Sequence, residues 1–183
     1  MASSARASGA DVAAPAPPER ALESLIASHY DDVLRYAERR LGDRAEADEV
    51  AAEVFVVTWR RLGAVPDDPL PWLYGVARGL TRNRLRAAGR RARLFDRLAL
   101  NAVAHGPGQE PADSLGEVAV VREAFLRLRE RDRELLSLLA WEGLTHTQAA
   151  AALGTTKAVI SVRAHRARRR LVKELAAAGH SSP

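Results

Sequence analysis

Residues 144–171 read LTHTQAAAALGTTKAVISVRAHRARRRL, and the spacing inside this stretch decides what the second half of the chain must be. Thr145 stands three residues before Gln148. In that pattern a cap hydroxyl takes the backbone N–H of the helix's third residue, and the amide side chain reaches back to the cap. The spacing predicts a short helix over 146–153. Gly154 then suits the left-handed residue that ends a helix, and Thr155 or Thr156 can cap the next one. Two helices joined so tightly must cross closely. The crossing needs a small residue, met by Ala150, a glycine in the turn, and a branched apolar residue to seal the pair, met by Ile160. This is helix-turn-helix spacing.

The second of these helices, expected over 156–176, has two faces. Val159, Ile160, Ala164, Ala167 and Leu171 are expected inward; Lys157, Ser161, Arg163, Arg166, Arg169 and Arg170 are expected outward. Residues 155–183 hold 7 basic groups against 1 acidic, so acidic neighbours at helical spacing leave the repulsion largely unrelieved. A solvated basic helix is the plain alternative. Capping, turn spacing and charge agree instead on a recognition helix for duplex DNA, since a guanidinium fork bonds guanine edges or phosphates bidentately.

Working outward, helices are expected over about 115–128 and 131–141, with Ser114 and Glu117 at capping-box spacing and Gly143 as a helix stop. Before them lies NAVAHGPGQEPADSLG (101–116), read as a linker from its Gly, Pro and small polar residues. The first half carries helical periods from Leu22 to Leu41, ended by Gly42, and from about Ala45 to Leu62. GAVPDDPLP (63–71) reads as a loop, and a third helix is expected to start at Pro71–Trp72 and run to about Arg93. No segment alternates like a strand. The fold class is all-α: two small helical domains joined by a flexible linker, the C-terminal one a helix-turn-helix domain. The boundaries read as a tail over 1–20, a helical domain over 21–98, a linker over 99–118, the helix-turn-helix domain over 119–178 and a tail over 179–183.

Composition excludes whole classes of chemistry. With 183 residues, 47% hydrophobic and 28% charged, the chain reads as folded. No apolar run approaches the about 20 residues of a membrane span, so membrane insertion is not expected. The first residues lack a signal-peptide core, which makes the expected compartment the cytoplasm. Zero cysteines remove disulfides, Cys-ligated zinc, iron–sulfur clusters and thiol catalysis. The formal net charge of +5 is uneven along the chain. Residues 63–98 hold 8 basic and 3 acidic groups, while 99–118 hold 0 and 3. Two separate basic blocks suggest two contacts with a polyanion.

The first half offers two candidate surfaces. The helix after Gly42 is acidic at its start. Glu46 and Asp48 suit the helix dipole, whereas Glu49 and Glu53 are like charges four apart, sharing a face with Ala52 and Val56. Such a strip either docks a basic partner helix or is simply solvated. The third helix places Trp72 and Tyr74 ahead of Arg78, Arg82, Arg84 and Arg86. Aromatics beside arginines suit unpaired bases, by stacking and by contact with the backbone. Trp72 equally suits the end of a three-helix core.

Three stretches together resemble the bacterial RNA polymerase sigma factors of the extracytoplasmic-function (ECF) group. ADEVAAEVFVVTW (47–59) is similar to that family's core-polymerase-binding helix, and PWLYGVARGLTRNRLR (71–86) to its −10-reading segment. Arg122–Leu171 is similar to its −35-reading domain. The resemblance implies a non-enzymatic factor without cofactor or metal that binds core RNA polymerase and directs promoter-specific initiation. It implies polymerase contacts at Asp48, Glu49 and Glu53. Contacts with the opened −10 element are implied at Trp72, Tyr74, Arg78, Arg82, Asn83 and Arg86, and −35 contacts at Thr156, Lys157, Ser161, Arg163 and Arg166. The linker would thread toward the polymerase channel, and an anti-sigma factor is a further candidate partner. Departures from the usual family pattern fall at Ala52, Gly79 and Asn83, and Asp48–Glu49 reverses the usual order. The rival reading is a free-standing helix-turn-helix regulator acting without polymerase. A nuclease holding a metal on Asp48, Glu49 and Glu53 is weaker, because the histidines (29, 105, 146, 165, 180) are scattered and no HExxH occurs.

Overall fold

A left-handed glycine sets the first corner. In the computed structural model, which describes residues 17–98 and 115–179, helix α1 (Pro18–Leu41) ends at Gly42 with φ 70°, and the Gly42 N–H returns to the Glu38 carbonyl at 2.8 Å. Asp43 then caps α2 (Arg44–Arg60) by accepting from the Glu46 N–H at 2.9 Å. A short 3-10 turn (Leu62–Ala64) leads to α3 (Pro69–Leu98). This helix begins two residues earlier than the sequence suggests. The first N–H groups of a helix have no partner to lose, so Pro69 and Pro71 both fit inside its first turn. After the residues that are not described come α4 (Leu115–Arg127), α5 (Glu130–Ala140), α6 (His146–Leu153) and α7 (Lys157–Gly179). Among the described residues the structure is all-helical.

The first three helices bury Val33, Tyr36 and Ala37 of α1 against Val50, Ala51 and Val54 of α2 and Leu73 and Ala77 of α3. Thr58 lies inside this core and satisfies its hydroxyl on the Val54 carbonyl at 2.8 Å. The second unit buries Leu135, Leu138, Leu144, Ala149, Ile160 and Ala164. A small cluster of Leu128, Leu136 and Ala167, with Phe125 and Leu171 against it, seats α4 on α7.

The two units match the expected pair of helical domains, but they do not stand apart. Their buried side chains form one continuous cluster, with α3 lying on α6. Gly75 makes this approach possible: a Cβ there would sit 3.2 Å from the Ala152 carbonyl oxygen. Of the expected linker over 99–118, residues 99–114 lie outside the described residues, and 115–118 belong instead to the first turn of α4; Ser114 of the expected capping box also lies outside the described residues.

Candidate nucleic-acid interface

The helix-turn-helix closes as its spacing implies. The Thr145 hydroxyl accepts from the Gln148 N–H at 3.2 Å, and the Gln148 side-chain oxygen accepts from the Thr145 N–H at 3.0 Å. Gly154 adopts φ 63°, and the Thr155 N–H returns to the Ala150 carbonyl at 2.9 Å. Ala150 and Ile160 are buried at the crossing, and the Thr156 hydroxyl accepts from the Val159 N–H at 3.4 Å.

Helix α7 turns Ile160, Ala164 and Ala167 inward. Val159 does not join them: it is 45% exposed, and Val162 is 51% exposed. At 100° per residue the buried stripe through Ile160, Ala164 and Ala167 leaves residue 159 on its flank. The outer face is therefore mixed, apolar as well as basic, which suits thymine methyl groups as well as base edges. Thr156, Lys157 and Arg166 are exposed on the surface. Ser161 and Arg163 are half-buried and held by their own domain. The Ser161 hydroxyl donates to the Lys157 carbonyl and lies 3.0 Å from His146 Nδ1, and Arg163 donates to the Arg131 carbonyl at 3.3 Å. Arg170, expected outward, reaches back to the buried Asp132 at 2.6 Å and ties α7 to α5.

The acidic strip of α2 has a partner that local spacing does not reveal. Arg84 of α3 donates to Glu49 at 2.8 Å and Glu53 at 3.5 Å, placing one cation between two like charges. Hydrogen bonding to Glu49, opposed by partial desolvation and reinforced by Glu53, pushes the Arg84 guanidinium above its ordinary pKa. Asp48 accepts from the Tyr30 hydroxyl at 3.3 Å. All three carboxylates remain on the surface. Beside them Leu22, Ile26, Tyr30, Phe55, Val56 and Trp59 line an open groove of about 630 Å³. The expected mixed acidic and apolar face is present.

The aromatics and arginines of α3 do not form one exposed ladder. Trp72 is half-buried against the core. Tyr74 is only 3% exposed, its ring 5.1 Å from that of Tyr36. In this arrangement Tyr74 has no free face on which a base can stack. Arg78 and Arg82 are half-buried, whereas Asn83 and Arg86 are exposed and bonded to each other at 3.0 Å.

What covers this part of α3 is the helix-turn-helix domain. Glu134 of α5 accepts from Tyr36 at 3.0 Å and from Arg40 at 2.6 Å, and Arg78 lies 3.8 Å away. Glu142 pairs with Arg39 and accepts from the Tyr74 hydroxyl at 3.4 Å. Gln148 donates to Asp68 at 2.9 Å. Burial pushes the Glu142 carboxyl above its ordinary range, an effect that Arg39 partly offsets. Burial likewise raises the hydroxyls of Tyr36 and Tyr74, which therefore act as donors throughout the physiological range.

Comparison with known proteins bears on both halves. Residues 25–91 match the model of Sigma-70 region 2, and residues 119–171 match that of Sigma-70, region 4. The ECF RNA polymerase sigma factor SigD of Mycobacterium tuberculosis is 34% identical over 167 residues, covering 87% of this chain and 79% of SigD. The RNA polymerase sigma factor CnrH of Cupriavidus metallidurans is 32% identical over 167 residues, covering 84% of this chain and 85% of CnrH. The solved structure of CnrH in complex with the cytosolic domain of CnrY superposes with a TM-score of 0.58 at 29% identity, covering 87% of this chain and 90% of that one. Regions 2 and 4 thus follow one another on the two helical units described above, and the chain belongs to the ECF group of RNA polymerase sigma factors.

Proposed function

We propose that this sigma factor grips core RNA polymerase through the exposed face of α2 and reads promoter DNA with α3 and α7. The observation that carries this reading is the pairing, in one chain, of a helix-turn-helix with a separate acidic and apolar helical face. A free-standing regulator has no use for the second. Asp48, Glu49 and Glu53 supply the polar part of the polymerase contact, and Ala52 and Val56 the apolar part. Thr156, Lys157 and Arg166 enter the −35 major groove, with Ser161 and Arg163 completing the contact once their own-domain bonds are exchanged. Arg78, Arg82, Asn83 and Arg86 hold the opened −10 strand, with the half-buried Trp72 beside them and Tyr74 engaged only once its contacts with Tyr36 and Glu142 give way. The factor does no covalent chemistry of its own and works in the cytoplasm. An anti-sigma factor is a candidate partner.

The two promoter elements lie about 25 base pairs apart, which is about 85 Å of B-form DNA at about 3.4 Å per base pair. Two surfaces packed into one helical body do not span that distance, so reading both elements requires the domains to separate on the polymerase. The test is co-elution of the purified chain with bacterial core RNA polymerase, beside a Glu49→Lys/Glu53→Lys variant of unchanged circular dichroism. Wild type is expected to co-elute and the variant to be lost. If neither co-elutes while the wild type alone shifts promoter DNA, the proposal fails and the regulator reading takes its place.

A further inference from the structure

Where α3 faces α4 and α5, two cavities of about 400 and 270 Å³ adjoin, sharing Arg78, Arg82, Glu130 and Glu134 in their walls. Their chemistry differs. The larger has an apolar wall of Leu85, Phe125, Leu126 and Trp141. Trp141 is 55% exposed, and its ring packs 5.0 Å from Phe125 at 54°, which holds it upright at the cavity edge. The smaller is lined by Arg78, Arg82, Arg86 and Arg131. Two carboxylates, Glu130 and Glu134, line it as well, and Glu134 is already engaged by Tyr36 and Arg40. Arg82 and Arg131 have no ion-pair partner among the described residues, and the buried Arg78 Nε has no hydrogen-bond acceptor. Four guanidinium groups face two carboxylates here, an excess of positive charge that a bound anion would offset.

We propose that this cleft binds a nucleotide carrying two or three phosphates, with the base on Trp141 and the phosphates on Arg82 and Arg131. A partly exposed indole offers a face on which any base stacks, and guanidinium forks match phosphate oxygens bidentately. The combined space lies in the range of about 300–1,000 Å³ typical of small-molecule sites. One wall belongs to region 2 and the other to region 4, so a bound nucleotide favours the closed arrangement of the two domains. This inference goes beyond the promoter-reading assignment and does not depend on it.

The test titrates the full chain at constant ionic strength with ATP, inorganic tripolyphosphate and adenosine, followed by calorimetry. ATP is expected to saturate one site and to bind at least ten-fold more tightly than either fragment. Trp141→Ala should weaken ATP at least ten-fold while leaving tripolyphosphate unchanged, and Trp141→Phe, which keeps a stacking ring, should restore most of the loss. Arg131→Ser should weaken ATP and tripolyphosphate alike, with an unchanged melting temperature in the absence of ligand. Equal affinity for ATP and tripolyphosphate would reduce the cleft to an unspecific basic patch and overturn the proposal. So would ATP binding that survives Arg131→Ser, or Trp141-dependent binding of a single-stranded oligonucleotide with none of ATP.

Discussion

The Tyr36 hydroxyl of α1 donates to Glu134 of α5 at 3.0 Å, joining residues 98 apart in sequence and belonging to different domains. Arg40 reaches the same carboxylate oxygen, and its guanidinium lies 3.9 Å from the centre of the Tyr36 ring. One carboxylate of region 4 thus holds a tyrosine and an arginine of region 2. A largely buried group of this kind is costly to leave unpaired, which makes the seam a defined contact rather than a loose approach.

Removing Glu134 should therefore open the chain. Glu134→Ala leaves the Arg40 and Tyr36 donors without their acceptor, a penalty of about 1–3 kcal/mol set against the closed arrangement. Small-angle scattering should show a larger radius of gyration, with circular dichroism unchanged because both helical cores remain. Tyr36→Phe removes one hydroxyl and should cost only about 1 kcal/mol. An unchanged radius in Glu134→Ala would mean that the apolar contact around Gly75 and Ala152 suffices to hold the domains together.

Glu142 should give the seam a pH dependence with a definite sign. Burial raises its folded-state pKa above the ordinary 4.5, so near that range the folded protein binds the proton more readily than the unfolded one. The stability this contributes is fully present below the ordinary value and is lost as pH rises through the raised one. Glu142→Gln removes the titration. The melting temperature of the variant relative to wild type should therefore climb as pH rises above the ordinary 4.5. A constant difference over that rise would show that Arg39 fully cancels the effect of burial.

How much of this was legible in the sequence depends on the range of the interaction. The capping box of Thr145 and Gln148, the left-handed Gly154 and the buried Ala150 and Ile160 are separated by a few residues, and local spacing alone places them. Tyr74 read as a base-stacking aromatic because its burial comes from Tyr36 and Glu142, which no local period connects to it. The same holds for Arg170, drawn to Asp132 across 38 residues, and for Arg84, drawn to Glu49 across 35. The exposed Val159 was misplaced for a different reason. It adjoins the buried stripe of α7, and an apolar residue on the flank of such a stripe fits the helical period nearly as well as one inside it.

Arg84 separates stability from recognition on α2. Its pairs with Glu49 and Glu53 are exposed, so Arg84→Ala should cost less than about 1 kcal/mol in thermal or urea unfolding. The same change frees both carboxylates for a basic partner. Co-elution with core polymerase should be retained or strengthened, whereas the double lysine variant should abolish it. Loss of polymerase binding in Arg84→Ala would indicate that the contact needs the preformed cluster rather than its free acids.

Helix α7 allows its structural and reading roles to be told apart by paired substitutions. Ile160 is fully buried at the helix-turn-helix crossing, so Ile160→Ala should cost about 2–5 kcal/mol and lower DNA affinity only by unfolding the domain. Arg166 is exposed and makes no contact that α7 needs for its packing. Arg166→Ala should leave the melting temperature unchanged and weaken binding of the polymerase-bound factor to a −35 element. If Arg166 meets a phosphate, the loss should be the same for all sequences and the salt dependence should fall by about one unit of slope. If it meets a base, the loss should be about 1–3 kcal/mol at one position of the element, with the salt slope nearly unchanged. Arg163 differs because it already donates to the Arg131 carbonyl and must give up that bond to reach DNA. Arg163→Ala should thus show a smaller DNA defect than Arg166→Ala, together with a small loss of stability, when both are measured on the same promoter fragment. The reverse order of defects would mean that α7 turns toward the groove by its Arg163 side, and that the bond to Arg131 belongs only to the closed form.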